Sequence, residues 1–190
     1  MLPNIFTLFR LFSSFIIIGL YLLYPMVAFE FILPLYILSA VTDYFDGKLA
    51  RKYNNITQFG KCFDIIADKT LVLTILLIGM QMGSVHILFV FVILFREFTV
   101  SGLREVLASE NIRIPASKLG KWKTGFQMTA CGFAVGQYAN WATGLLEWTR
   151  ILAFVAIYVR EITFILFVIC SILTIWSGLE YMKGVFGKKQ

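Results

Sequence analysis

The chain holds 190 residues, 59% hydrophobic, 16% aromatic and only 15% charged, with a mean hydropathy of +0.81 and a net charge of +6. That composition excludes an ordinary soluble globule and predicts an all-α membrane protein, with residues 1–190 forming a single transmembrane domain. The positive balance does not point to nucleic acid, since no basic stripe with stacking aromatics lies in a polar segment; it fits basic loops beside anionic headgroups on the cytoplasmic side of a membrane.

Six apolar runs, each close to the ~20 residues needed to cross hydrocarbon, follow one another. The first, at 8–25, has no charge between Arg10 and Glu30 and closes at Pro25. No small-residue cleavage site follows it, only Tyr24-Pro25-Met26, so it reads as a retained span and not as a signal peptide. The second, 28–52, carries charges only near its end, and the third, 59–80, only near its start. Gln81 to Ser84 is a tight, uncharged turn. In the fourth, 85–107, charges begin halfway, at Arg96. A loop with Pro115 covers 109–117, and the fifth span covers 118–138. Asn140 to Trp148 is polar and aromatic, with Trp141 and Trp148 suited to a membrane interface. Residues 149–159 read either as an amphipathic surface helix or as an early start to the sixth span, 161–183.

Six spans put both termini on one side, together with the 2–3 and 4–5 loops. That side then carries all of the 17 Lys and Arg residues except Arg150 and Arg160, which predicts an N-in, C-in topology. The absence of a transit peptide favours a bacterial inner membrane. Cys62, Cys131 and Cys170 have no ligand spacing and read as buried thiols. His86 is the only histidine, so no site needing two histidines is possible within one chain.

The polar residues inside the spans carry the functional signal. Spans two, three and four are apolar in their outer halves and charged in their inner halves, and charges at such depth face one another or water. The expectation is a hydrophilic cavity open to the cytoplasm and the inner leaflet. All four aspartates of the chain, Asp43, Asp46, Asp64 and Asp68, lie in that region. On a helix, residues three and four apart share a face. Asp43, Asp46, Gly47 and Ala50 therefore form one stripe, and Gly60, Asp64 and Asp68 another. The short 53–58 connection makes the two helices antiparallel neighbours, so the stripes can meet. Four carboxylates in a low dielectric need a cation, and carboxylate oxygens suit Mg²⁺, Mn²⁺ or Ca²⁺. Mg²⁺ and Mn²⁺ usually imply a phosphate substrate, which two ions about 3.5–4 Å apart would clamp. The small residues leave room for a nucleotide, although small residues also serve helix packing.

The window reads D-x2-D-G-x2-A-R-x8-G-x3-D-x3-D, from Asp43 through Gly47, Ala50, Arg51, Gly60 and Asp64 to Asp68. It resembles the signature of the CDP-alcohol phosphotransferase family at each fixed position. The segments Pro3-Asn4-x2-Thr7-x2-Arg10, Arg96-Glu97-Phe98, Ser101-Gly102-Leu103-Arg104, Leu119 to Thr124 and Ser177-Gly178-x2-Tyr181 are similar to those of its phosphatidylglycerophosphate synthase branch, so the resemblance covers most of the chain. It implies six transmembrane helices, a homodimer, an active site in the cytoplasmic half, two Mg²⁺ or Mn²⁺ ions and a CDP-linked lipid donor, here CDP-diacylglycerol. It further implies Asp43, Asp46, Asp64 and Asp68 at the metals, with Asp68 as the base for the acceptor hydroxyl. Asn4, Thr7, Asp43, Gly47, Ala50, Arg51 and Gly60 would line the CDP site.

The acceptor side has its own physical argument. Arg96 and Arg104 lie too deep to reach headgroups easily, and Lys121 and Lys123 begin the next span. Guanidinium forks and ammonium point charges both suit a phosphate dianion, so these four residues are expected to bind glycerol 3-phosphate. Glu97 and Glu105 are the expected structural partners of the two arginines. The expected reaction yields phosphatidylglycerophosphate and CMP. The alternatives are a sibling enzyme whose acceptor is phosphatidylglycerol, serine or inositol phosphate, and a cation transporter that uses the aspartates for transport.

Overall fold

The computed structural model describes residues 2–24, 28, 30–42, 58–109, 118–139 and 147–186. They form helices throughout, with no strand among the described residues: α1 (Leu2–Leu23), α2 (Glu30–Thr42), α3 (Gln58–Gln81), α4 (Ile87–Ser109), α5 (Lys118–Ala139) and α6 (Glu147–Phe186). The expected all-α architecture is thus observed. Residues 149–159 belong to one continuous helix of 40 residues together with 161–183.

The turn expected at 81–84 has a clear local cause. Gly83 sits at φ +76° in the left-handed region that a side chain disfavours. Its N–H donates to Met80 O at 3.1 Å, and the Ser84 N–H donates to Gly79 O at 2.9 Å. Together these bonds form the Schellman cap that closes α3 and lets α4 start three residues later.

Side-chain contacts give the helix directions. Arg10 meets Asp68, and Tyr21 donates to Met82 Sδ at 3.4 Å, so α1 and α3 run parallel. Phe89 stacks on Phe167 while Arg96 reaches Ser177, so α4 and α6 run parallel. Tyr36 lies against Gly132, and Leu33 against Gly136, so α2 and α5 run antiparallel. Together with the reversal at Gly83, these relations fit a bundle whose helices alternate in direction.

The interior is apolar along most of the bundle, with Ile17, Ile32, Leu71, Ile75, Leu76, Ile93 and Phe167 fully buried. Polar groups are also buried, among them Arg10, Glu30, Lys123, Ser177 and Thr174. The outside is the reverse of a soluble surface. Phe12, Phe15, Leu22, Phe31, Phe91, Phe95, Trp122, Phe164, Ile172 and Trp176 are exposed on five different helices. Apolar exposure on that scale is what hydrocarbon solvates. Within the described residues, Tyr158–Val185 is the stretch long and apolar enough by itself to cross a membrane, with shorter apolar stretches at Thr7–Leu23 and Glu30–Thr42. The charges along α3 and α4 lower the apolar character of those helices, and the same charges build the site.

Candidate active site

A cavity of about 340 Å³ opens between α3, α4, α5 and α6. It sits at one end of the bundle, where the first half of α3 and α5 meets the second half of α4 and α6. Four cations, Lys69, Arg96, Arg104 and Lys121, line it with two carboxylates, Asp68 and Glu97. The excess of positive charge suits an anionic occupant.

Helical register explains the assembly. Asp68 lies on the α3 face toward the cavity, its side chain 46% exposed, and accepts a charge-assisted hydrogen bond from the buried Arg10 of α1. Thr7, one turn before Arg10, is buried as well. Lys69 follows Asp68 and places its ammonium 5.4 Å from the Phe98 ring centroid, a cation–π contact that holds it beside α4. Arg96 donates from Nη2 to Ser177 Oγ at 3.2 Å, with Nη1 3.8 Å from Glu97 Oε2. The Arg104 guanidinium lies 5.8 Å from the Tyr181 ring, so α6, and not Glu105, supplies its neighbour.

Lys123 is in a different position from the one its sequence neighbours suggest. Its side chain is 1% exposed and its ammonium is bound to Glu97, behind the cavity wall. The four residues expected around the acceptor thus divide: Arg96, Arg104 and Lys121 line the cavity, while Lys123 braces Glu97. Lys69, Tyr181, Gln127 and Ser177 join the wall without having been singled out as ligands. Arg96 Nε, Gln127 Oε1 and Tyr181 Oη are buried without a hydrogen-bond partner among the described residues. Buried polar atoms of that kind are uncommon, and three on the wall of one cavity mark it as polar space.

For the carboxylate cluster the description is partial. Asp43, Asp46, Gly47, Ala50 and Arg51 lie outside the described residues. Asn4 lies on α1, and Gly60 and Asp64 on α3, and for these three the description stops at the helix backbone. Asp64 is one helical turn before Asp68 in α3. Among the described residues there is no group of three metal-ligating side chains. At the cavity wall the Asp68 carboxylate offers a hard oxygen donor, which fits Mg²⁺ or Mn²⁺ in kind.

The comparisons with known proteins cover nearly the whole chain. The CDP-alcohol phosphatidyltransferase family model matches residues 1–176. A protein of Rickettsia typhi named CDP-diacylglycerol–glycerol-3-phosphate 3-phosphatidyltransferase is 37% identical over 183 residues, 96% of each chain. One of Haemophilus influenzae with the same name is 33% identical over 192 residues, covering 98% of this chain and 94% of that protein. One of Bacillus subtilis, again so named, is 46% identical over 96 residues, half of each chain. With a family match of this extent, and with Asp68 of the signature opening onto a cation-lined cavity, the chain belongs to the CDP-alcohol phosphatidyltransferase family.

Proposed function

We propose that this chain transfers the phosphatidyl group of CDP-diacylglycerol to sn-glycerol 3-phosphate, giving phosphatidylglycerophosphate and CMP. One observation carries the choice of acceptor: Arg96, Arg104, Lys121 and Lys69 share a cavity with Asp68. A neutral acceptor such as serine would not need four cations there. Glycerol 3-phosphate brings a dianion for the cations and a hydroxyl for the carboxylate, and the names of the relatives agree with that pairing.

Arg96 and Arg104 hold the acceptor phosphate by forked hydrogen bonds, and Lys121 and Lys69 add charge. The primary hydroxyl then lies toward Asp68, which takes its proton as a general base. The hydroxyl oxygen forms a bond to the β-phosphorus as the bond from that phosphorus to the CMP oxygen breaks, in line. Asp43, Asp46, Asp64 and Asp68 would hold two Mg²⁺ or Mn²⁺ ions, whose chemistry is to neutralise the pyrophosphate and the charge developing on CMP. Asn4, Thr7, Gly47, Ala50, Arg51 and Gly60 form the nucleotide side.

The same reading places the protein as a homodimer in a bacterial inner membrane. Six spans cross it with both termini and the cavity on the cytoplasmic side. The alternation of helix directions, the apolar exterior and the Lys/Arg asymmetry support that topology. CDP-diacylglycerol enters from the inner leaflet, its acyl chains in lipid and its head in the cavity.

The test is CMP release by the purified protein from CDP-diacylglycerol with a panel of acceptors. Glycerol 3-phosphate with Mg²⁺ or Mn²⁺ is expected to give turnover, and chelation by EDTA to abolish it until the metal is restored. Turnover with serine, inositol phosphate or phosphatidylglycerol, and none with glycerol 3-phosphate, refutes the acceptor assignment.

A further inference from the structure

Arg96 is the most constrained cation on the cavity wall. Its Nη2 is tied to Ser177 Oγ at 3.2 Å and its Nη1 lies 3.8 Å from Glu97, which Lys123 holds from the far side. Ser177 is 1% exposed and donates its own proton to Thr174 O at 3.2 Å, so its oxygen is left to accept from the guanidinium. The Arg96 side chain then passes over Gly178, where a Cβ would lie 3.3 Å from Arg96 Cγ. α6 brings no charge to this point. It brings a fixed hydroxyl and the space of a missing side chain.

We propose that Ser177 and Gly178 are positioning residues that aim the Arg96 guanidinium at the acceptor phosphate, making this part of α6 a determinant of acceptor affinity. The assignment rests on the acceptor reading given above. An arginine free to sample its rotamers must be ordered when the ligand binds, and one already fixed avoids that cost. Neither Ser177 nor Gly178 need touch the acceptor. A methyl at 178 would be a few tenths of an ångström too close to Cγ. Cγ is near the α4 backbone and is not a flexible chain end. Relief therefore comes from swinging the guanidinium away from Ser177 or from parting α4 from α6.

The experiment is a steady-state comparison of both substrates. Losing a hydrogen bond to a charged group costs about tenfold in affinity, so Gly178→Ala and Ser177→Ala are each expected to raise the KM for glycerol 3-phosphate about tenfold. The KM for CDP-diacylglycerol should stay in place. Ser177→Thr keeps the hydroxyl and should restore the acceptor KM. In an Arg96→Ala background, Gly178→Ala should add no further loss, because the group it positions is gone. If Gly178→Ala fails to fold, judged by thermal unfolding, the Ser177→Ala and Ser177→Thr pair decides. Unmoved acceptor KM values, or equal losses with and without Arg96, overturn the positioning role while leaving the proposed reaction intact. Wild-type protein that turns over another acceptor and not glycerol 3-phosphate overturns the functional reading first, and this assignment with it.

Discussion

Arg10 on α1 and Asp68 on α3 form an ion pair across two parallel helices, the guanidinium buried and the carboxylate at the cavity wall. The asymmetry matters. A buried arginine needs a partner, because an unpaired charge in a low dielectric is costly. Arg10 finds one in the carboxylate proposed as the base. The contact runs through Oδ1, so one oxygen is fixed by the protein and the side chain is oriented before any substrate arrives.

Asp68→Asn keeps the volume and removes the basic oxygen. The purified variant should still bind CDP-diacylglycerol, measured by equilibrium binding, yet release no CMP above background. Wild-type turnover in this variant would refute the base assignment.

Arg10→Ala should act on Asp68 at one remove. Groups that orient a metal ligand or base typically contribute about 10–100-fold to activity, and a loss in kcat of that order is expected here. Arg10→Lys retains the charge without the fork and should fall between the two. The Mg²⁺ concentration for half-maximal activity should rise in Arg10→Ala. A variant with normal kcat and normal Mg²⁺ dependence would show that the pair is purely structural.

Local pattern made much of this architecture legible in the sequence, and long-range pairing hid the rest. The turn at 81–84 is a glycine and three neighbours, so the chain itself specifies it. The placement of charges in one half of α3 and α4 marked the polar end of the bundle, where Asp68, Arg96 and Arg104 line the cavity. Arg10, Lys69 and Lys123 were harder to place for one physical reason. Each is defined by a partner 26 or more positions away: Asp68 for Arg10, Phe98 for Lys69 and Glu97 for Lys123. Lys121 and Lys123 look alike in sequence as basic residues at the start of a span. They differ because two residues along a helix is a turn of about 200°, which puts one on the cavity wall and the other against α4. An observation available in the sequence bears on Arg10: a cation within an apolar run, like any membrane-embedded charge, implies a buried counter-charge.

Lys123→Met should destabilise the fold before it affects chemistry. It leaves Glu97 without the partner that covers it. Breaking a fully buried pair costs about 3–5 kcal/mol. The Glu97 side chain is 25% exposed, so partial hydration should lower this to about 2 kcal/mol. Thermal unfolding in detergent should show the loss. Adding Glu97→Gln should recover part of it, since an amide tolerates the site better than an unpaired carboxylate. Strict additivity of the two substitutions would mean that the pair contributes nothing as a pair.

Arg104→Ala tests the acceptor side at a residue whose only described contact is a ring. Its guanidinium lies against Tyr181, with no carboxylate bound to it among the described residues, so its charge is available to the cavity. Removing a charge-assisted contact to phosphate is expected to raise the KM for glycerol 3-phosphate about tenfold or more, with little change for CDP-diacylglycerol. Lys69→Ala should move the same parameter by less, since an ammonium meets phosphate as a point charge without a fork. Salt should weaken both contributions, because the cavity must admit water along with its substrate. Equal effects of Arg104→Ala on the two substrates would place this arginine at the pyrophosphate of the donor and reassign the cavity to the nucleotide side. An effect confined to the acceptor would leave Arg96, Arg104 and Lys69 as one phosphate-binding set, drawn from α4 and α3, facing the Asp68 carboxylate proposed as the base.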